Sequence, residues 1–147
     1  GSLVSEWQPQ YGNEKMFASN NGNLGVFGSG GSWNVKIYTQ SGTLVNEWNA
    51  AFAQYVKGLP NGNIAFYKDP NIKIYTESGT SVYEWNAGSV DQMTVLTNGN
   101  IAVKDYSPTN MKIYTQSGTL VYEWDAQKAD EMFSLPNNRI AVYSHSP

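Results

Sequence analysis

"KIYTQSGTL" at 36–44 returns unchanged at 112–120, and "KIYTESGTS" stands between them at 73–81. Each copy runs straight into a second near-copy: "VNEWNA" at 45–50, "VYEWNA" at 82–87 and "VYEWDA" at 121–126. The first half alternates apolar and polar residues with β-branched and aromatic side chains, which reads as a strand. Ser-Gly follows as a tight turn, and the second half alternates again. The pair is therefore a β-hairpin, and the chain uses it three times.

Working outward from the third copy gives the whole repeat. "QMTVL" at 92–96 is a short apolar run, "TNG" at 97–99 carries an Asn-Gly hairpin turn, and "NIAVKD" at 100–105 is another strand. "YSPT" at 106–109 is a loop that leads into "MKIYTQ" and "LVYEW". Four antiparallel strands thus form one unit, named a to d in chain order. No stretch has a helical period with caps.

Two independent markers set the period. Glu-Trp occurs at 6–7, 47–48, 84–85 and 123–124, so the Trp spacings are 41, 37 and 39. The turn marker, Asn21-Gly22, Asn61-Gly62, Asn98-Gly99 and Asn137-Asn138, is spaced by 40, 37 and 39. Four short strands in about 37–40 residues is the arithmetic of a β-propeller blade. A β-trefoil also uses four-strand units, but it has three of them, and the Glu-Trp marker appears four times. The expectation is an all-β propeller: one repeat domain over 1–147, with units at about 8–48, 49–85 and 86–124. Residues 125–147 plus 3–7 would make a closing blade. In that order the closing blade has strands a, b and d but no strand c. The expected outcome is a four-bladed ring with one incomplete blade, or a larger ring formed by self-association through the open strand edge.

The units resemble NHL-type (WD40-like) propeller blades. The likeness is carried by Ile72-Lys73-Ile74-Tyr75 with Gly79 after it, by the "NGNIA" turn before it, and by the matching stretches Ile101 to Gly118 and Leu24 to Gly42. Asp69-Pro70 and Pro108-Thr109 stand where that family carries an Asn-His dipeptide. The resemblance implies a propeller, and it raises RNA as an alternative ligand, since some NHL-type propellers bind RNA. Monocot β-prism lectins carry a comparable "DGNLVLY" stretch, but of their sugar motif only Asn63 and Tyr67 are matched here.

Composition narrows the function. Nine Lys and Arg against twelve Asp and Glu give a net charge of −3, too acidic for a surface that tracks phosphates. No Cys is present, which excludes disulfides, thiolate nucleophiles and Cys-ligated zinc. The one His, His145, gives a catalytic triad or multi-His metal site little to draw on, so no enzyme, metal or cofactor is expected. No apolar run is long enough for a transmembrane helix.

The a–b and c–d turns of a propeller share one face, and here they are short and uniform. The d–a and b–c connections share the other face and vary in length and chemistry. Binding residues favour variable loops on a rigid scaffold, so ligand contacts are expected at Tyr11, Trp33, Phe52, Lys68, Asp69, Lys104, Asp105 and Tyr106. The repeated Trp7, Trp48, Trp85 and Trp124 are expected to pack on the neighbouring blade, as their repetition in every unit suggests. Glu47, Glu84 and Glu123 are expected to pair across strands with Lys36, Lys73 and Lys112. The functional expectation is a non-catalytic binding or scaffold module that recognises a protein or glycan through the irregular loop face, with RNA binding or a purely structural or engineered repeat assembly as alternatives.

Overall fold

The structure is a computed structural model that describes residues 12–19, 22–29, 33–108, 110–126 and 129–144. The described residues contain strands and turns and no helix. The first unit is β1 (Gly12–Ala18), β2 (Leu24–Ser29), β3 (Trp33–Tyr38) and β4 (Leu44–Asn49). The second is β5 (Tyr55–Gly58), β6 (Ile64–Lys68), β7 (Asn71–Tyr75) and β8 (Ser81–Asn86). The third is β9 (Val90–Val95), β10 (Ile101–Asp105), β11 (Asn110–Tyr114) and β12 (Leu120–Asp125). β13 (Glu131–Leu135) and β14 (Arg139–Tyr143) form a two-stranded sheet. Within each sheet the strands lie in chain order, each antiparallel to the next.

The repeated hairpin explains its own sequence. In all three copies the strand register slips once, after Ile37, Ile74 and Ile113, and a Thr-x-Ser-Gly-Thr turn follows. Thr39, Thr76 and Thr115 each accept, through Oγ1, the backbone N–H of the second Thr at 3.1 Å. The turn glycines sit at φ +84, +86 and +87°, where a Cβ is disfavoured.

The core lies between sheets. β6 and β10 are covered on both faces by neighbouring sheets, which accounts for their nearly unbroken burial. Between the first two units Phe27, Val35 and Ile37 meet Ile64 and Phe66. Between the second and third, Ile72 and Ile74 meet Met93, Ile101 and Val103. Trp48 reaches across from the first unit onto Tyr75 (ring centroids 5.0 Å) and Phe66 (5.6 Å), and its Nε1–H donates to the Glu77 carbonyl at 3.1 Å. Trp85 packs likewise on Tyr114 of the third unit, at 5.9 Å, but without an indole hydrogen bond. The expected packing role holds for these two tryptophans. Trp124, by contrast, is 40% exposed. Trp7 lies outside the described residues.

Candidate functional site

Strand pairing fixes which side chains share a face. Phe66 lies opposite Lys73, which lies opposite Glu84, and Lys68 lies opposite Asn71. All of these project from the second unit toward the first. The connection from β4 to β5 crosses above them and contributes Ala51, Phe52 and Ala53. The result is a groove of about 340 Å³ between the two units, walled by Phe52, Phe66 and Tyr75 and edged by Lys68, Asp69, Asn71, Lys73 and Glu84.

The polar edge is ordered. Lys73 pairs with Glu84 at 3.0 Å, and Asn71 Nδ2 donates to the same carboxylate at 3.2 Å. The hydrogen bond to Glu84 holds the Lys73 ammonium above its ordinary pKa, against a smaller opposing effect of burial. Asp69 accepts from the Tyr67 hydroxyl at 2.8 Å, and its backbone N–H donates to Gln54 Oε1 at 3.0 Å. Lys68 is exposed and forms no ion pair among the described residues. Phe52 is 44% exposed and is held edge-on by Trp33 at 4.9 Å, which in turn stacks on Phe27 at 5.0 Å. An exposed ring on a half-buried indole that is itself stacked on the buried Phe27 is a preorganised contact surface.

Of the residues expected to bind, the structure brings Phe52, Lys68 and Asp69 into this groove and sets Trp33 behind it. Lys104 goes elsewhere. It is 4% exposed, pairs with Asp91 at 2.6 Å and donates to the Ala129 and Asp130 carbonyls at 2.9 and 3.0 Å. Such a buried ammonium is satisfied on all sides and ties the third unit to β13. Tyr67 occupies the matching place in the second unit: its one hydroxyl proton is shared between the Asp69 carboxylate and the Gly88 carbonyl (3.0 Å), and its oxygen accepts the Val90 N–H (2.8 Å). Asp105 is also buried and pairs with Lys112 at 2.6 Å. Tyr106 is 74% exposed on the following loop, away from the groove. Tyr11 lies outside the described residues.

Asp105 shows how the third unit differs at this place. Counting from Ile64 and Ile101, which hold equivalent registers opposite Tyr75 and Tyr114, Asp105 stands where the second unit has Lys68. Asp105 pulls Lys112 inward and leaves Glu123 at 3.9 Å from it. In the second unit Lys68 stands at that place and offers no carboxylate, and Lys73 pairs with Glu84. In the sequence Lys73, Glu84 and Tyr75 carry only the pattern of structural strand residues, and the Lys-for-Asp exchange between units is the signal that singles them out. The expected cross-strand pairs are present: Lys36–Glu47 at 3.5 Å, Lys73–Glu84 at 3.0 Å and Lys112–Glu123 at 3.9 Å. Among the described residues no three His, Asp or Glu side chains gather as metal ligands.

No family model and no curated protein matches the chain. Several solved structures do. A eukaryotic initiation factor aligns with a TM-score of 0.64 at 12% identity, over 82% of this chain and 34% of that one. The Neurospora crassa Pan2 WD40 domain aligns with a TM-score of 0.60 at 10% identity, over 88% and 42%. Virginiamycin B lyase from Staphylococcus aureus aligns with a TM-score of 0.58 at 15% identity, over 88% and 54%. At these identities the likeness is one of fold. The fold is a β-propeller, and each four-stranded unit is a blade. The chain spans about half the length of these structures or less.

Proposed function

We propose that the chain is a non-catalytic binding module that holds a segment of a protein partner in the groove between its first and second blades. The observation that carries this reading is an aromatic-walled groove beside Lys68, which stands where the next blade has an aspartate and forms no ion pair among the described residues. The groove combines apolar rings with two lysines and two carboxylates, a balance suited to a mixed polar and apolar peptide and unsuited to a run of phosphates. Propeller neighbours such as the WD40 domain support a binding or scaffold role in general terms.

The test is a peptide-display and glycan-array screen of the purified chain, repeated with Phe52→Ala and Lys68→Asp. Lys68→Asp recreates the third blade's pairing, drawing Lys73 onto the new carboxylate and closing the groove. Peptide hits lost in both variants, with unchanged circular dichroism, support the proposal. Hits confined to glycans would transfer the groove to a lectin role. RNA binding with a steep salt dependence, or ligands indifferent to both substitutions, would overturn it.

A further inference from the structure

The third blade holds an internal precedent for what the groove of the second can bind. In both blades an asparagine donates to a glutamate across the same strand pair, Asn71 to Glu84 and Asn110 to Glu123, each at 3.2 Å. The lysine beside them differs. Lys112 lies 2.6 Å from the Asp105 carboxylate and 3.9 Å from Glu123, whereas Lys73 lies 3.0 Å from Glu84. The Lys73 side chain is 40% exposed, against 19% for Lys112. At the place of Asp105 the second blade has Lys68, which is exposed and forms no ion pair among the described residues. A second exchange accompanies the first. Ala50 and Ala87 hold equivalent places, each donating its N–H to the start of a third strand or the residue before it, and counting from them Phe52 stands where the next connection has Ser89.

We infer that the partner segment is anchored by one aspartate or glutamate side chain, whose carboxylate lies between Lys68 and Lys73 while an apolar neighbour rests on Phe52. The inference rests on the groove reading given above and names the chemistry of its occupant. Lys68 lies opposite Asn71 and Lys73 opposite Phe66, so the two lysines are diagonal neighbours on one face, a spacing that long side chains bridge. The incoming carboxylate takes on Lys73 the part that Asp105 plays on Lys112, and charge-assisted hydrogen bonds hold it there. Glu84 and Asp69 already bring negative charge to the groove edge. A singly charged carboxylate therefore suits the site better than a doubly charged phosphate.

The probes are fluorescein-labelled, C-terminally amidated peptide pools with a fixed central aspartate between randomised apolar residues. Matched pools carry asparagine, lysine or phosphoserine at the centre. Each is titrated with the whole chain and followed by anisotropy, and circular dichroism checks that every variant is folded. The aspartate pool should bind about tenfold or more tighter than the asparagine pool. Lys73→Gln should remove that discrimination, and Lys68→Glu should shift the preference to the lysine pool. Phe52→Ala should weaken the aspartate and asparagine pools alike. Equal binding of those two pools that still depends on Phe52 overturns the carboxylate anchor and leaves the groove reading standing. Binding indifferent to Phe52, or no binding by any pool at millimolar concentration, overturns both. A preference for the phosphoserine pool, or for a free C-terminus over the amide, overturns the side-chain carboxylate in favour of that other anion.

Discussion

Adding a methyl group at Gly118 tests how the blades are joined. Gly118 sits at φ +87°, and a Cβ built there lies 2.7, 2.8 and 2.9 Å from Cγ, Cδ2 and Cβ of Trp85. These atoms are at the root of the side chain, so a change in the tip cannot relieve the contact. Gly118→Ala therefore meets two costs. The left-handed backbone costs about 1–2 kcal/mol for a residue with a Cβ, and forcing a methyl into a packed interface costs about 1–3 kcal/mol more. The total is about 2–5 kcal/mol. Gly62 separates the two: its φ is +87° as well, but nothing lies within 4 Å of its Cβ position. Gly62→Ala should show the backbone cost alone. Urea denaturation of both variants measures the difference, and pairing Gly118→Ala with Trp85→Ala should recover the clash portion as a non-additive gain. Equal losses at Gly62 and Gly118, or strict additivity with Trp85→Ala, would refute the indole-on-glycine joint.

Three further outcomes are expected. Trp85→Ala should cost about 3 kcal/mol or more, whereas Trp124→Ala, at a half-open position, should cost markedly less; thermal melts of the two give the order. Trp48→Phe should cost more than Trp85→Phe, because the Trp48 N–H donates to the Glu77 carbonyl while the Trp85 N–H is buried without a partner. Chevron or equilibrium urea curves resolve that difference. Burial pushes the Tyr67 hydroxyl up to about 12; the hydrogen bond from the Val90 N–H opposes the rise, and the Asp69 carboxylate adds to it. Above its ordinary value near 10 the unfolded chain gives up this proton first, so the unfolded state binds fewer protons and stability falls as pH rises from 10 to 12. Denaturation midpoints across that window should decline less steeply for Tyr67→Phe than for the unaltered chain.

The fold was legible because each blade repeats the same physical solution. Thr-x-Ser-Gly-Thr needs its glycine and its capping threonine in every copy, and Glu-Trp needs one residue facing the lysine strand and the next facing the neighbouring sheet. The site was less legible. "KD" at 68–69 and at 104–105 reads as the same dipeptide at the same loop, and both pairs looked like ligand contacts. The strands place them one residue apart: Lys104 matches Tyr67, and Asp105 matches Lys68. With a period of two, that single step turns Lys104 into the interior and leaves Lys68 at the surface. A hydrophobic pattern could not reveal the step, because buried lysines are rare and a buried tyrosine at the matching position masks the equivalence.

Among the described residues every hairpin joins strands adjacent in sequence, and this bears on how the molecule comes into being. Each of the sheets over 12–49, 55–86 and 90–125 can pair without waiting for distant residues. Loop closure within these sheets is short, and short closures favour rapid folding. On the ribosome, a sheet can zip up as soon as its fourth strand has emerged. Its Trp48 or Trp85 then stays wet until the next sheet's third strand and turn are made. Synthesis thus advances the fold one blade at a time, always with a tryptophan at the growing end.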